Sequence, residues 1–191
     1  MQDQIIAEIK ESIAVKQTVL EELVPSIEKA AKIMIEALRN GNKIMFFGNG
    51  GSAADSQHFA GELIGRFLKE RASLPAIALT TDSSILTALS NDYSFDIVFS
   101  RQIEGLAQKG DVAFGISTSG NSPNVLLGIE KAKQYECKTI SLLGSGGGKI
   151  AGICDVPIVI LKKATPRIQE SHIMIGHILC NLIEQELFKD E

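Results

Sequence analysis

The chain has 191 residues, of which 45% are apolar and 22% are charged, and its formal net charge is −4. This length predicts one domain, spanning residues 1–191, with a substantial hydrophobic core. The weak acidity and the scattered lysines and arginines exclude a general nucleic-acid-binding surface, because such surfaces carry clustered positive charge.

The cysteines and the hydropathy pattern predict a cytoplasmic protein. Three cysteines, widely spaced and without a C-x-x-C motif, are typical of reduced thiols: Cys137, Cys154 and Cys180. No apolar run approaches the length of a membrane-spanning helix, and charged residues interrupt the first apolar periodicity. We therefore expect neither membrane insertion nor export.

Two amphipathic helices are predicted before the first strand. Three isoleucines recur at intervals of four with charged residues between them: Ile5, Ile9 and Ile13. This pattern predicts a helix over residues 3–23, which Pro25 ends or bends, and a second helix that stops at Asn40-Gly41. A helix that precedes the sheet has little sheet to cover. The apolar surface of residues 1–40 therefore packs either within the chain or on another subunit.

The first predicted strand leads into a candidate ligand-binding turn. Residues 44–47 are a short apolar run stopped by glycine, which predicts a central parallel strand. Three glycines among residues 48–51 permit a sharp turn, and Ser52 stands where a helix N-cap is expected. Such a helix N-terminus can bind a phosphate or a cluster of sugar hydroxyls. Glycine turns also join strands to helices in α/β proteins that bind neither ligand.

His58 and Glu62 lie on the next helix at a spacing of i, i+4, so they share one face. An imidazole and a carboxylate that point in one direction can bind a metal or carry out acid–base chemistry. A solvated pair on a helix surface has the same spacing, so the two residues alone leave both interpretations open.

A second strand and two helices follow along the chain. A short apolar run predicts a strand over residues 74–79, and the pattern after it predicts a helix over residues 85–89 that Asn91-Asp92 breaks. A third helix is predicted over residues 95–107.

The next strand, over residues 111–116, ends in a hydroxyl-rich loop, residues 117–124. Ser122 followed by Pro123 has the form of an N-cap with proline at the first helical position. Hydroxyls and amides without a lysine suit a phosphate monoester, whose oxygens accept several neutral donors and interact with the helix dipole. A polar turn with good capping is the alternative.

The remaining segments continue the alternation of strands and helices: helix 125–135, strand 138–143, glycine run 144–148, strand 156–161 and helix 165–188. This order predicts a three-layer α-β-α sandwich with a parallel sheet, right-handed crossovers and ligand loops at the carboxyl ends of the strands. Gln169 and His177 on the last helix are eight residues apart, so they point within about a quadrant of each other. A hydrogen-bonded pair in the core is the alternative.

Three common ligand motifs are not supported. Gly48-x-Gly50-x-x-Ala53 fits the loose dinucleotide fingerprint, but Thr80 and Thr81 occupy the place of the required acidic residue. The sequence has neither a Walker A loop nor a Gly-x-Ser-x-Gly elbow, so it favours neither nucleotide hydrolysis nor the usual serine hydrolase chemistry.

Four segments together resemble the sugar isomerase (SIS) superfamily: GNGGSAADSQHFAGELIGRF, LTTDSSILTALSNDY, GDVAFGISTSGNSPN and TPRIQESHIMIGHILCNLIE. The resemblance covers nearly the whole chain in the same order and is closest to the superfamily's isomerases of phosphorylated heptoses. It implies a flavodoxin-like fold with a five-stranded parallel sheet. It also implies a homotetramer, with active sites at subunit interfaces and residues 1–40 packing in the oligomer.

The implied activity is that of an aldose–ketose isomerase. It would interconvert D-sedoheptulose 7-phosphate and D-glycero-D-manno-heptose 7-phosphate, the first step of heptose precursor biosynthesis for lipopolysaccharide or capsule. A replication-initiator-associating member of the superfamily keeps the serine loop but lacks the counterparts of Glu62 and His177. A non-catalytic, sugar-phosphate-binding protein of that kind is the alternative function.

The resemblance also assigns residues. It implies that the substrate is bound by Asn49, Gly50, Gly51, Ser52, Glu62, Asn91, Asp92, Ser117, Thr118, Ser119, Ser122 and Gln169. It implies one Zn²⁺ per active site, bound by His58, Glu62, Gln169 and His177. Glu62 and His177 are also the implied catalytic pair, with Glu62 as the base and His177 acting at the oxygens of an enediolate. Because a zinc-bound carboxylate is a poorer base, either the ligands exchange during turnover or the zinc is structural.

Overall fold

Residues 1–189, the part of the chain that the computed structural model describes, contain a five-stranded parallel β-sheet. The strands are β1 (Ile44–Gly48), β2 (Ala76–Ala78), β3 (Val112–Ser117), β4 (Lys138–Gly144) and β5 (Val156–Ile160). Their order across the sheet is β2-β1-β3-β4-β5, and all neighbours run parallel. The predicted α/β fold with a five-stranded parallel sheet is confirmed.

Helices precede, connect and follow these strands. They are α1 (Gln2–Glu22), α2 (Val24–Arg39), α3 (Gly51–Ile64), α4 (Ser83–Asp92), a 3₁₀ turn (Phe95–Ile97), α5 (Val98–Leu106), α6 (Pro123–Gln134), α7 (Gly148–Ala151) and α8 (Thr165–Leu187). Among the helices of residues 1–189, none combines the length and hydropathy needed to cross a lipid bilayer.

The sheet has a hydrophobic core on each face, because successive strand residues point in opposite directions. Ile44 and Phe46 of β1 pack in one core with buried residues of α2, α3 and α8. Met45 and Phe47 pack in the other core with buried residues of α5 and α6. A strand that is buried on both faces must be apolar throughout, which explains the continuous apolar run that predicted β1.

The chain changes direction across the sheet beside β1. From β1 it runs outward to the edge strand β2 and then crosses back to β3 on the other side of β1. Ligands of open α/β sheets bind beyond the carboxyl ends of the strands at such a point. Because Gly48 pairs with Ile116, the next residues, Asn49 and Ser117, start two polar loops side by side.

One predicted boundary near the sheet edge is wrong and another is confirmed. β2 comprises only three residues of the predicted strand 74–79, because only Ala76–Ala78 pair with β1. The helix that follows, α4, ends at Asp92 with Tyr93 as its C-cap residue, so the predicted break at Asn91-Asp92 is confirmed.

Two other predicted segments subdivide. The predicted helix over residues 95–107 begins as a 3₁₀ turn. Ser94 caps this turn, because its Oγ accepts the N–H of Asp96 at 3.1 Å. The glycine run 144–148 leads into α7, because Gly147 adopts φ 85° and lets the chain turn into a helix.

The N-terminal helices are only partly covered by the rest of the chain. α2 buries one face, whereas α1 buries only Val15 and Val19. Four isoleucines near the start of α1 are exposed: Ile5, Ile6, Ile9 and Ile13. α1 ends at Glu22, and Pro25 lies in the first turn of α2, where its missing N–H breaks no helical bond. The intramolecular alternative therefore accounts for only part of the apolar surface of α1.

Candidate active site

The β1–α3 turn depends on glycine. A Cβ at Gly48 would lie 2.8 Å from the Ile116 carbonyl oxygen, which is too close for any other residue. Gly50 adopts φ 57° and is the N-cap of α3, which begins at Gly51. The predicted N-cap role of Ser52 is therefore wrong, because Ser52 lies inside the first helical turn and is 3% exposed. Gly50 and Gly51 are exposed, so the N-terminus of α3 is accessible at the switch point.

The loop after β3 brings three hydroxyl groups together. Ser117 Oγ lies 2.9 Å from Ser122 Oγ and 3.4 Å from Ser119 Oγ. Ser122 occupies the N-cap position of α6 and Pro123 is the first helical residue, as predicted. The hydroxyl of Ser122 makes no capping bond, however, and faces Ser117 instead. Together with the half-buried Thr118, these hydroxyls can bind the oxygens of an anion at a helix N-terminus.

The β4–α7 turn packs against the backbone of this hydroxyl loop. A Cβ at Gly120 would lie 2.1 Å from the Gly147 carbonyl oxygen, so the two turns are in direct backbone contact. The Lys149 N–H donates to Asn121 Oδ1 at 3.0 Å, and the Ile150 N–H donates to the Gly120 carbonyl at 3.1 Å. The glycine run 144–148 thus fixes the shape of the loop that precedes α6.

A pair of amide side chains joins the two polar loops. Asn49 Nδ2 donates to Asn124 Oδ1 at 2.8 Å, and Asn124 Nδ2 donates to Asn49 Oδ1 at 2.9 Å. Asn49 directly follows β1, and Asn124 lies in the first turn of α6. The two bonds therefore connect the glycine turn to the hydroxyl loop.

His58, Glu62 and His177 meet where α3 contacts α8. His58 Nε2 lies 2.9 Å from Glu62 Oε1 and 3.3 Å from His177 Nε2. Phe59 and Gly176 are the adjacent residues on the two helices, and a Cβ at Gly176 would lie 2.0 Å from the Phe59 ring. The missing side chain at Gly176 therefore lets α8 come close enough for the two imidazoles to touch.

The three side chains form a group that could bind a metal ion. One ligand atom of each lies within 4.8 Å of the others. His58 Nε2 carries either one hydrogen or one lone pair, so it cannot satisfy Glu62 and His177 by hydrogen bonding at the same time. A divalent cation would be bound by all three, and imidazole nitrogen with carboxylate oxygen is a suitable ligand set. The donor chemistry thus fits a metal.

Gln169 connects α8 to the glycine turn. A Cβ at Gly51 would lie 2.4 Å from Gln169 Nε2, so the amide of this half-buried side chain lies directly over the start of α3. Gln169 and His177 thus each contact α3, at its first residue and in its third turn.

Two residues that the sequence did not indicate border the candidate metal-binding group. Burial raises the pKa of the Asp55 carboxyl, and the charges of His58 and His177 lower it in part. Asp55 precedes His58 by three positions on the same helix, and this spacing is a signal that could have found it. The ring of Phe67 lies 5.7 Å from that of His177. Phe67 is in an irregular segment, where no sequence periodicity indicates a contact.

A buried ion pair holds the segment after α3 against α8. Arg71 Nε lies 2.9 Å from Glu184 Oε1, and both side chains are almost fully buried. Arg71 also donates to the carbonyl oxygens of Glu62 and Leu63, at 2.8 Å and 2.9 Å. Glu184 accepts three backbone N–H groups in addition, those of Phe67, Leu68 and Lys69.

These bonds determine the charge state of Glu184. Burial raises the pKa of the Glu184 carboxyl, but the backbone N–H groups and Arg71 outweigh burial and hold the pKa below its ordinary value. Glu184 therefore remains ionised and fastens the end of α3, which carries Glu62, to the helix that carries His177.

Three polar residues lie apart from this group. Asn91 and Asp92 are exposed in the last turn of α4, where Asn91 Nδ2 donates to Asp92 Oδ1 at 2.8 Å. Within residues 1–189, no hydrogen bond or ion pair joins either of them to His58, Glu62 or His177. His172 is fully buried with Nε2 3.2 Å from the Leu143 carbonyl oxygen, and burial lowers its pKa to about 4. His172 is thus a neutral core residue.

Comparisons with known proteins match nearly the full length of the chain. A family model described as the SIS domain matches residues 9–144. The chain is 60% identical over 185 residues to the phosphoheptose isomerase of a Nitratiruptor species, covering 97% of this chain and 99% of that relative. The solved structure of phosphoheptose isomerase GmhA from Neisseria gonorrhoeae has a TM-score of 0.92 and 45% identity, covering 96% and 98% of the two chains. That of a phosphoheptose isomerase from Francisella tularensis has a TM-score of 0.93 and 38% identity, with the same coverage.

Proposed function

The chain belongs to the phosphoheptose isomerases of the SIS domain family, and from that membership we propose that it interconverts D-sedoheptulose 7-phosphate and D-glycero-D-manno-heptose 7-phosphate. This aldose–ketose isomerase activity would supply heptose precursors for lipopolysaccharide or capsule. The structural support is the contact of Glu62 and His177 with His58 between α3 and α8. The curated relatives are isomerases, which favours an enzyme over a non-catalytic sugar-phosphate-binding protein.

The reaction moves one proton between neighbouring carbons and another between their oxygens. Glu62 would take the proton from C1 of the open-chain ketose, giving an enediolate, and return it to C2. His177 would carry the hydroxyl proton from O1 to O2. Glu62 Oε1 faces His58, while Glu62 Oε2 makes no hydrogen bond within residues 1–189, so one carboxylate oxygen is available for the carbon-bound proton.

The two polar loops would bind the ends of the substrate. The phosphate is assigned to the hydroxyl loop and the N-terminus of α6, through Ser117, Thr118, Ser119 and Ser122. The sugar is assigned to the β1–α3 turn and its neighbours, through Asn49, Gly50, Gly51 and Gln169, with the buried Ser52 shaping the turn. Asn91 and Asp92 are also assigned to the substrate; both are exposed in the last turn of α4.

One Zn²⁺ per active site would be held by His58, Glu62, Gln169 and His177. The convergence of three of these side chains on one point supports this assignment. When bound, zinc would polarise the carbonyl and hydroxyl oxygens of the substrate.

Two conservative substitutions test the catalytic pair. Purified wild-type protein should isomerise sedoheptulose 7-phosphate, and Glu62→Gln and His177→Gln should each lower kcat by roughly 10²- to 10⁴-fold, because each removes a proton-transfer group. Gln57→Ala, on an exposed position of α3, should keep the wild-type rate.

A chelator should inhibit the wild-type enzyme, and elemental analysis should find zinc in the purified protein but not in a His58→Ala variant. Wild-type rates in both Glu62→Gln and His177→Gln would show that the assignment is wrong. Full activity without any bound metal would remove zinc from the proposal.

We also propose a cytoplasmic homotetramer in which residues 1–40 pack between subunits. The exposed isoleucines of α1 support the assembly, because contiguous apolar surface of this kind is normally buried. The free thiols of Cys137, Cys154 and Cys180 support a reducing compartment.

The assembly is tested on α1 itself. The double variant Ile9→Glu, Ile13→Glu should have a smaller mass than wild type by light scattering, since it places charge in the apolar surface. Lys10→Glu, a charge change at an exposed position between them, should leave the mass unchanged. An unaltered tetramer in the double variant would contradict the role of α1.

A further inference from the structure

Asn124 is almost fully buried, at 2% exposure, yet both ends of its amide are bonded to one half-buried partner, Asn49. A primary amide has two N–H donors and two acceptor lone pairs. The reciprocal pair uses one donor and one lone pair of each residue. Asn49 therefore keeps one N–H and one lone pair for a ligand, while its plane is fixed by two bonds.

The pair spans the crevice between the two loops. Asn49 starts the turn after β1, and Asn124 lies two residues beyond Ser122, whose hydroxyl contacts Ser117. β1 and β3 are adjacent strands in register, so the amide pair lies at the switch point where the strand order reverses. A shift of α6 would therefore move the amide of Asn49.

We propose that Asn124 is a positioning residue that holds the Asn49 amide against the sugar and fixes the spacing between the sugar turn and the phosphate loop. This inference rests on the proposed function, in which Asn49 contacts the sugar. Asn124 is too deeply buried to contact substrate itself, so it acts through Asn49. Misplacement of a binding group by about 1 Å can lower a rate by roughly 10²-fold, so the effect should be measurable.

A double-mutant cycle on kcat/KM for sedoheptulose 7-phosphate tests this coupling. Asn124→Ala should lower kcat/KM by roughly 10- to 100-fold. If Asn124 acts through Asn49, adding Asn124→Ala to Asn49→Ala should change kcat/KM by no more than about twofold, because the interaction between the two side chains is already lost. Asn124→Asp keeps the volume but sets a carboxylate oxygen against Asn49 Oδ1, so it should resemble Asn124→Ala.

A second readout separates positioning from a general defect in the hydroxyl loop. Inhibition by inorganic phosphate should stay within about threefold of wild type in Asn124→Ala, because the serine hydroxyls are untouched. Val125→Ala, the neighbouring buried residue of α6, should lower the urea midpoint while kcat/KM stays near wild type.

Three results would overturn the inference: losses that multiply in the double variant, a wild-type kcat/KM in Asn124→Ala, or phosphate inhibition that weakens in parallel with kcat/KM. A wild-type rate in Asn49→Ala would overturn it as well, because it would remove Asn49 from the proposed sugar site. If Asn49→Ala lowers the rate and Asn124→Ala does not, Asn49 stays in the sugar site and only the positioning role of Asn124 is refuted.

Discussion

Gly51 and Gln169 show how a missing side chain places a functional group. The Gln169 amide occupies the space that a Cβ at Gly51 would fill, with Nε2 only 2.4 Å from that position. Gly61 lies on the same helix, yet a Cβ there would meet no atom within 4 Å. The two glycines of α3 therefore differ: Gly51 leaves room for the Gln169 amide, whereas Gly61 borders open space.

Substitution of Gly51 should separate activity from stability. Gly51→Ala should lower kcat/KM by about 10²-fold, because the new methyl group displaces the Gln169 amide. The unfolding free energy should change by less than about 1 kcal/mol, since the end of a flexible side chain can move aside. Steady-state kinetics and urea unfolding measure the two effects. Gly61→Ala is the matched control and should keep full activity; equal activity in both variants would argue against a role for Gln169.

At the scale of elements, the contact between α3 and α8 brings together His58, Glu62 and His177, the group that could bind a metal ion. Phe59 and Gly176 set how closely the two helices approach, and the Arg71–Glu184 pair fastens the end of α3 to α8. A glycine inside a helix lowers its stability by roughly 0.5–1 kcal/mol relative to alanine, so Gly176 has a cost that close packing offsets. The same close approach brings His58 and His177 together.

Gly176→Ala should push the helices apart. We expect a loss of about 1–3 kcal/mol in unfolding free energy from overpacking, and weaker metal binding as the imidazoles separate. Urea unfolding and titration with zinc measure these quantities. Adding Phe59→Leu should recover part of both losses by making room for the methyl group. Gly105→Ala in α5, where a Cβ meets no atom within 4 Å, should leave zinc binding unchanged. Normal zinc affinity in Gly176→Ala would contradict this role.

On the scale of the whole molecule, two buried carboxylates join distant segments. Glu184 holds the segment after α3, and Asp111 accepts the backbone N–H of Lys43 at 3.0 Å and that of Gln108 at 2.7 Å. Burial raises the pKa of the Asp111 carboxyl, but the Lys43 ammonium and these N–H groups together outweigh burial and hold the pKa below its ordinary value. The pKa of Glu184 is lowered in the same way.

These two pKa shifts predict acid sensitivity. A carboxyl whose pKa is lower in the folded state contributes stability that is complete above its unfolded value, here 3.8 for Asp111 and 4.5 for Glu184. That stability is lost as the pH falls through the folded pKa. Urea unfolding between pH 7 and pH 3 should show this loss, and Asp111→Asn should flatten it. Glu130→Gln, at an exposed position, should follow the wild-type curve. If Asp111→Asn loses as much unfolding free energy at low pH as wild type, the Asp111 carboxylate is not a source of the acid sensitivity.

The order of the elements could be predicted because β1 and β3 are buried on both faces and must be apolar throughout. The bounds of β2 could not be predicted, because they depend on which residues pair with β1. For the site, His58 and Glu62 follow from helical spacing, whereas the approach of His177 depends on packing at Gly176. The resemblance to the SIS superfamily supplied the remaining ligand and substrate residues.

Asn124 and Arg71, two further residues that sequence reasoning missed, have partners far along the chain. Asn124 bonds to Asn49, and Arg71 to Glu184, across separations that no local periodicity reports. Their roles are visible only once the strands and helices have been packed together.

His58 and His177 are 119 positions apart, and α8 is the last helix of the described residues. The five strands and α3 therefore all precede His177, which completes the group formed with His58 and Glu62. A chain without α8 would lack Gln169 and His177 as well as the core residues Ile168, Ile175, Leu179 and Ile183. The last helix thus supplies both core packing and candidate site residues.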